Sequence, residues 1–354
     1  MKSGRSIVDL AQELERQLAT KQDLLVPSSL LQCHTEEGGH LKIIVDAKEG
    51  DGVYGITNLA RRQLADKLKI PFAYFERMRT EQRALLDRNV NTWLQTDHEP
   101  RMIRTLDGQV RAVLSDRYRR LDNYDLAESV LPILQRLEGA RFESVELTET
   151  KMYLKVITPR LEYEIAPGDV VQAGIVITNS EVGCGTLSVQ PLVYRLVCRN
   201  GLIASDRALR KTHVGRTLQS EDDPITVFRD DTLAADDKAF FLKVRDVVEA
   251  AVSEATFRQV AQKMQKTRDI RLTGDPVKAV EVLANRYTLN DSERAGVLRH
   301  LIVEGDLSAY GIVNAVTHFS DDVEDYDRAT EFEALGGKLI ELPASDWKEM
   351  AEAA

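Results

Sequence analysis

Residues 140–198 decide the fold of this chain. They contain five β-rich runs: ARFESVEL (140–147), KMYLKVIT (151–158), LEYEI (161–165), DVVQAGIVITNSE (169–181) and GTLSVQPLVYRLVC (185–198). Short breaks at residues 149–150, 159–160, 167–168 and 183–185 separate the runs, and these breaks contain proline, glycine or polar residues. Runs of this length and spacing are typical of consecutive antiparallel strands. The sequence therefore predicts a five-stranded antiparallel β-meander.

The region before the meander mixes helical and strand patterns. Apolar residues at helical spacing predict helices over residues 6–22, 58–69, 73–78, 81–96 and 122–137. Alternating apolar residues predict a strand over residues 40–47, and MIRTLDGQVRAVLS (102–115) predicts a hairpin that turns at Asp107-Gly108. We expect this region to form one α+β domain with the meander, over residues 1–220.

The region after Thr217 has the spacing of helices. Helices are predicted over residues 230–266, 276–287, 290–303, 308–318 and 323–335, with Gly305 and Gly336-Gly337 as helix ends. The polar run LQSEDDP (218–224) marks the expected boundary. The predicted fold class is therefore α+β, an antiparallel β-meander with helices, followed by an all-α acidic C-terminal domain over residues 228–354.

The composition is that of a folded protein with unevenly placed charge. The chain has 354 residues, 43% hydrophobic and 29% charged, which is enough for two domains. Its net charge is −10, but residues 221–354 carry 28 acidic and 16 basic side chains and so hold the whole negative excess. An acidic chain argues against indiscriminate nucleic-acid binding, whereas a near-neutral half with local basic strips can still bind phosphate.

The sequence also bears on location and chemistry. It has no run of roughly 18 apolar residues and no apolar signal-peptide core near its start, so we expect a cytoplasmic protein with no membrane partner. Its three cysteines cannot all pair and none lies in a CxxC motif, so reduced thiols are expected. The six histidines lack metal-ligand spacing, and no hydrolase, P-loop or dinucleotide motif is present. These patterns predict no metal and no cofactor, and favour a protein that is not an enzyme.

One loop leaves an alternative open. Gly183-Cys184-Gly185 is explained by a turn that needs glycine, and Asn179-Ser180-Glu181 before it by polar turn residues. A binding loop, or an enzyme that uses residues 179–185, would have the same pattern. We favour the turn because no histidine lies near Cys184 in the sequence.

Two basic strips are the unusual feature of the sequence. RMIRTLDGQVRAVLSDRYRRLDNY (101–124) has six arginines and three aspartates, and YRLVCRNGLIASDRALRKTHVGR (194–216) has six basic residues and one aspartate. Guanidinium groups bind phosphate oxygens and aromatic rings stack on unpaired bases, so this combination suits single-stranded nucleic acid. The alternatives are a surface strand whose arginines pair with nearby aspartates, and a loop that pairs with the acidic C-terminal region.

Several of these segments resemble a known family. RQLADKLKIPFAYFERM (62–78), NVNTWL (89–94), RTLDGQVRAVLSDRYRRLDN (104–123), ITNSEVGCGTLSV (177–189) and YRLVCRNGLI (194–203) are similar, in this order, to the phage/plasmid-like family of uncharacterised proteins. The resemblance covers about residues 40–216 and implies a mobile-element setting. The order of one helix followed by antiparallel strands is also similar to single-strand annealing recombinases, whose subunits form rings or arcs around a basic groove.

The leading hypothesis is a protein that binds single-stranded DNA or RNA, and anneals strands, in recombination or replication of a phage or plasmid. It would act as a homo-oligomer and recruit a host or phage replication or recombination protein through its acidic C-terminal domain. The predicted contacts with nucleic acid are Arg104, Arg111, Arg117, Tyr118, Arg119, Arg120, Tyr124, Arg195, Arg199, Arg210 and Lys211. The alternative is a protein-interaction or host-defence-modulating factor whose acidic domain mimics DNA.

Overall fold

A computed structural model describes residues 1–46, 52–118, 120–204, 239, 242–248 and 253–353. The chain is α+β, as predicted: two β-sheets come first and helices dominate the C-terminal part. Helix α1 (Ile7–Thr20) precedes both sheets, and its N-cap Ser6 accepts a hydrogen bond from the Asp9 backbone N–H. None of the helices among these residues is long and apolar enough to cross a membrane.

The first sheet has six strands in the order β1-β5-β6-β4-β3-β2. Only β4 and β6 pair in parallel. The strands are β1 (Gln22–Pro27), β2 (Leu31–Thr35), β3 (Leu41–Val45), β4 (Gly52–Ile56), β5 (Pro100–Leu106) and β6 (Gln109–Ser115). Strands β1, β2 and β4 have no counterpart in the sequence prediction, because each has only five or six residues and β1 and β4 lack a regular alternation of apolar and polar residues.

Three helices connect β4 to β5 and cover one face of this sheet. They are α2 (Asn58–Lys67), α3 (Phe72–Glu81) and α4 (Arg83–Thr96). Their apolar side chains, such as Leu64, Phe75 and Leu86, form one core with Ile43 and Ile103 of the sheet. The hairpin prediction is confirmed, since β5 and β6 pair across Asp107-Gly108 and both turn residues have a positive φ.

The second sheet is a five-stranded antiparallel meander, as predicted, but its last strand (Gly201–Ile203) has no counterpart in the sequence prediction. Its strands are β7 (Arg141–Leu147), β8 (Met152–Ala166), β9 (Asp169–Asn179), β10 (Ser188–Arg195) and β11 (Gly201–Ile203). Each strand pairs antiparallel with the next, in the order β11-β10-β9-β8-β7. The prediction of two strands over 151–158 and 161–165 is wrong, because both runs belong to β8. The register shifts between Thr158 and Glu162, next to Pro159, which has no N–H to donate.

Helices cover both faces of this second sheet. Helix α5 (Asn123–Arg136) and α1 pack on one face, where Leu126 and Val130 meet Leu154 and Ile175. The alternate side chains of the strands, including Ile157, point to the opposite face and pack against a C-terminal helix.

Residues 242–248 of the C-terminal part are helical, and residues 253–353 contain six further helices. They are α6 (Glu254–Thr267), α7 (Pro276–Tyr287), α8 (Asp291–Glu304), α9 (Ala309–Phe319), α10 (Tyr326–Leu339) and α11 (Ala344–Ala351). The helices predicted over 276–287, 290–303 and 308–318 are confirmed. The long helix predicted over 230–266 lies partly outside the described residues, and α6 begins only after Ser253, whose side chain caps it.

Gly305 ends α8 as predicted, with a φ of 72°. The prediction that Gly336-Gly337 ends a helix is wrong, because α10 continues to Leu339. A Cβ on Gly336 would lie 2.2 Å from Thr317 Cγ2, and one on Gly337 would lie 1.9 Å from the Ile203 carbonyl oxygen. These glycines therefore allow α10 to pack closely against α9 and β11.

The C-terminal helices share a core with the second sheet. Val171 and Val193 of the sheet pack in one cluster with Phe257, Val280 and Val313 of the helices. The second sheet is thus covered partly by helices that follow it by many residues in the chain. The division into domains at 1–220 and 228–354 stays a prediction.

Candidate functional site

A buried polar region lies where the two sheets meet, at the β9–β10 loop (residues 180–187). We call it the polar junction. Side chains from α1, both sheets and α5 converge there. Its members are Lys21, Asp23, Arg104, Arg111, Asp122, Asn123, Asn179, Ser180 and Glu181.

Arg104 of β5 is the centre of the polar junction. Its side chain has no exposed surface, and its Nε donates to Asp23 Oδ1 at 2.7 Å. Its Nη2 donates to Asp122 Oδ1 at 2.6 Å, and its Nη1 donates to the Glu181 carbonyl oxygen at 2.8 Å. Burial by itself would raise the pKa of the Asp122 carboxyl, but Arg104 and Lys21 outweigh burial and hold that pKa below its usual value.

The Glu181 side chain faces three positive groups. Its Oε1 accepts a hydrogen bond from the Asn123 backbone N–H at 2.6 Å, at the N-terminus of α5, where the helix dipole favours an anion. Its Oε2 lies 2.7 Å from Arg111 Nη2, and Lys21 Nζ lies 3.9 Å from Oε1. The loop carboxylate is therefore held by a backbone N–H, a guanidinium group and an ammonium group.

Arg111 reaches this site because of a β-bulge. The pairing of β5 with β6 shifts between Arg104 and Thr105, which pair with Ala112 and Val110, so Arg111 is the extra residue. Bulges redirect side chains. Arg111 is 9% exposed, yet its Nε and Nη2 donate no hydrogen bond to any described residue. The contact with Glu181 is thus an ion pair without hydrogen-bond geometry.

Further hydrogen bonds hold the β9–β10 loop. Asn179 Nδ2 donates to the Leu121 carbonyl oxygen and to Asn123 Oδ1, both at 2.8 Å. Ser180 Oγ donates to the Thr150 carbonyl oxygen at 2.8 Å and accepts from the Cys184 backbone N–H at 2.9 Å. The polar residues therefore do build the turn, as the sequence indicated. They also tie the loop to neighbouring elements that the sequence could not identify.

The predicted residues of the first strip separate into buried and exposed groups. Arg104 and Arg111 are buried in the polar junction. Both pair with carboxylates there, as the alternative to phosphate binding requires. Arg117 is exposed, and the Arg120 side chain is 56% exposed with its Nε 3.7 Å from Asp23 Oδ2. Arg119 lies outside the described residues.

The two tyrosines predicted to stack on bases are both partly buried. The Tyr118 hydroxyl donates to the Ser180 carbonyl oxygen at 2.8 Å, and the ring packs against a small cluster that includes Leu114 and Val182. Burial raises the pKa of Tyr118 to about 12. Tyr124 packs against the core beneath α5.

The predicted residues of the second strip also divide into buried and exposed side chains. Arg195 is largely buried: its Nε donates to Asp169 Oδ1 at 2.7 Å, and its Nη1 lies 3.4 Å from Glu304 Oε2. Arg199 is exposed, has a φ of 54°, and lines a shallow concavity with Arg141 and Tyr194. Arg210 and Lys211 lie outside the described residues.

The described parts of the two strips, residues 101–118 with 120–124 and residues 194–204, do not form one compact site. The first meets β9 at Asn179 and the second at Asp169, which are the opposite ends of this strand. At roughly 3.3 Å per residue, the ends of an eleven-residue strand are about 33 Å apart. A nucleic acid strand would have to run along the sheet to contact both.

Among the described residues, one cluster has side chains of the types that bind metal ions. A sulfur, a carboxylate oxygen and a ring nitrogen of Cys198, Glu304 and His318 lie within 4.8 Å of one another. Arg195 Nη1 lies 3.3 Å from the Cys198 sulfur and also contacts Glu304, so a positive charge is already present there. The sequence could not reveal this cluster, because more than a hundred residues separate Cys198 from the other two.

Comparison with known proteins gives one result. A family model described as Domain of unknown function (DUF932) matches residues 110–335. The chain therefore belongs to this family. The match runs from β6 into α10, so it overlaps the expected 40–216 region only over residues 110–216. The similarity to the phage/plasmid-like family and to annealing recombinases stays a prediction. No curated protein and no solved structure is significantly similar to the chain.

Proposed function

We propose that this protein binds single-stranded nucleic acid during recombination or replication of a mobile genetic element. Arg117 and Arg120 contact the phosphates. The observation that carries the proposal is that both side chains are exposed on the short connection between β6 and α5, beside a buried network that holds this connection. Guanidinium groups on a backbone that is already fixed can bind phosphate without the further entropy cost of ordering the backbone.

The network fixes the connection at several points. The Tyr118 backbone N–H donates to the Ser115 carbonyl oxygen at 3.1 Å, and its hydroxyl is bonded to the β9–β10 loop. Leu121 is 2% exposed, and Asp122 is bonded to Arg104 and Lys21. In this proposal Arg104 and Arg111 position the exposed arginines and do not touch phosphate, which revises the predicted set of contacts. Base stacking on Tyr118 stays a prediction.

A second contact surface includes Arg199. It lies with Arg141 near the far end of the second sheet, about one strand length from Arg117. Neighbouring subunits of a homo-oligomer would bring further copies of both surfaces to one strand. The acidic C-terminal helices would limit nonspecific binding or recruit a protein partner.

The test is a salt titration of binding to a fluorescently labelled single strand, measured by anisotropy with the full chain. The double variant Arg117→Gln with Arg120→Gln removes two of the proposed phosphate contacts. We expect weaker binding and a salt slope that is smaller by about 1.4, which is roughly 0.7 for each lost contact on single strands.

The matched control is Arg77→Gln with Arg258→Gln, which removes two arginines whose side chains are 70% and 60% exposed. This control makes the same change in net charge away from the proposed surface, so its salt slope should equal that of the parent. Equal slopes for the parent and the Arg117/Arg120 variant would refute the phosphate contacts. A parent with no salt-dependent binding would refute the proposal and favour the protein-interaction alternative.

A further inference from the structure

Two helix ends and one turn meet beside the second sheet. Glu304 is the last residue of α8, His318 lies in the last turn of α9, and Cys198 lies in the turn between β10 and β11. We call these three residues the donor cluster, because one donor atom of each lies within 4.8 Å of the other two. The Glu304 and His318 side chains are 14% and 28% exposed, so an ion can reach the donor cluster from solvent. The C-terminal ends of both helices add to the attraction of a cation.

Neighbouring groups hold the donor cluster in place. Asn200 Nδ2 donates to Thr317 Oγ1 at 2.6 Å, which ties the turn to α9 next to His318. The centre of the His318 ring lies 4.3 Å from that of His300, and its Nδ1 lies 2.8 Å from Glu304 Oε1. Groups that are already positioned in this way lose less entropy when they bind an ion.

The positive groups nearby have carboxylate partners of their own. Arg195 Nη1 lies 3.3 Å from the Cys198 sulfur, but the same guanidinium donates to the Asp169 carboxylate through Nε and Nη2. The N-terminal ammonium group pairs with Asp321. The Cys198 thiolate and the Glu304 carboxylate are then free to balance a divalent ion. The Nη1 contact would support the metal-bound sulfur as a hydrogen bond.

The same residue types also occur in sites with a thiol nucleophile, where the imidazole must accept the thiol proton. Among the described residues, no hydrogen bond joins the Cys198 sulfur to the His318 ring. The sulfur contacts Arg195 and the ring contacts Glu304. A gap between the sulfur and the ring suits an ion that lies between them.

The donor types select the ion. Thiolate and imidazole ligands favour Zn²⁺, whereas Mg²⁺ and Ca²⁺ prefer oxygen. Donors of a tetrahedral zinc site are about 3.5 Å apart, so the donor cluster would close on the ion by roughly 1 Å. We propose that Cys198, Glu304 and His318 bind a Zn²⁺ ion, with water at the fourth position. The proposal revises the sequence prediction of no metal and does not depend on strand binding.

The first experiment is an optical titration of the reduced, chelator-treated full chain with Co²⁺, which occupies zinc sites and reports their ligands. We expect a thiolate-to-cobalt charge-transfer band in the near ultraviolet. Added Zn²⁺ should remove the band, because tetrahedral sites with a thiolate ligand prefer Zn²⁺. A parent with no such band at millimolar Co²⁺ would overturn the proposal.

The second experiment repeats the titration with cysteine variants. Cys198→Ser should lose the band and bind Co²⁺ at least about a hundredfold more weakly, because losing a ligand costs more than losing a supporting group. The matched control Cys184→Ser removes another partly buried cysteine and should behave like the parent. Circular dichroism checks that both variants are folded. A folded Cys198→Ser protein that keeps the band and the parental affinity would refute the site.

The third experiment tests the carboxylate. Glu304→Gln keeps the size of the side chain and removes the charge that balances the ion. We expect the charge-transfer band to remain, since the thiolate is still present, and the affinity for Co²⁺ to fall about tenfold. Parental affinity in this variant would contradict a site built from all three residues.

Discussion

The two ends of strand β9 use buried arginine in different ways. At the Asp169 end, Arg195 donates to Asp169 through Nε and Nη2, and its Nη1 contacts Cys198 and Glu304. At the Asn179 end, Arg104 is fully paired, whereas Arg111 pairs with Glu181 and its Nε and Nη2 are buried without a hydrogen bond to a described residue. The Arg195 nitrogens thus all have partners among the described residues, whereas two nitrogens of Arg111 do not. Basic charge in the sequence therefore does not tell how completely a buried arginine is paired.

The largest expected effect comes from removing the buried guanidinium at each end. In Arg104→Gln, Asp122 keeps Lys21, but Asp23 keeps only a 3.7 Å contact with Arg120 among the described residues. The substitution should lower the free energy of unfolding by about 3–5 kcal/mol. Arg195→Gln should cost less, about 1.5–3 kcal/mol, because Asp169 keeps its hydrogen bond from Tyr310 and Glu304 keeps its contact with His318.

Urea denaturation of the parent, Arg104→Gln and Arg195→Gln proteins measures these differences in the free energy of unfolding. Arg120→Gln is the control from the same strip, because its side chain is exposed, and it should unfold at the parental midpoint. An Arg195→Gln protein that is less stable than Arg104→Gln would contradict the comparison between the two ends.

A smaller effect is expected from acid. The folded-state pKa of Asp122 is lowered, so its contribution to stability is present above the usual carboxyl pKa near 3.8 and is lost as the pH falls through the lower folded value. The effect is smaller than that of Arg104→Gln because Asp23 still pairs with Arg104 when Asp122 is protonated. Asp122→Asn should show a shallower fall in the free energy of unfolding between pH 5 and pH 3, as measured by urea denaturation. The same slope in both proteins would show that Asp122 does not couple to the network.

The smallest expected effect concerns Tyr118. Tyr118→Phe keeps the ring and removes the hydrogen bond to the Ser180 carbonyl oxygen, so it should lower the free energy of unfolding by about 1 kcal/mol. Thermal unfolding followed by circular dichroism measures the change. Strand affinity should stay the same, because both the ring and the exposed arginines remain. A large loss of strand binding with unchanged stability would mean that the hydroxyl faces the nucleic acid and not the loop.

Residues of the first strip show how far sequence reasoning could reach. The Asp107-Gly108 turn was predictable, because a two-residue hairpin turn needs positive φ and these residue types adopt it. The pairing of Arg104 with Asp122 agrees with the alternative in which arginines of this strip pair with nearby aspartates. The burial of these groups and the pairings with Asp23 and Glu181 were not predictable, because Asp23 precedes Arg104 by 81 residues and Glu181 follows Arg111 by 70. No local pattern connects positions so far apart. The bulge at Arg111 left no signal in the strand pattern either.

The sequence by itself determined the elements whose causes are local: the antiparallel meander, the hairpin, and helix ends such as Gly305 with its positive φ. Turn chemistry and side-chain periodicity act over a few residues, so they can be recognised without the fold. Only the tertiary structure decided which arginines are buried, that Gly336-Gly337 lies inside a helix, and that a cleft opens beside Glu181. These features depend on which distant segments pack together, since burial and ion pairing arise between elements and not within them.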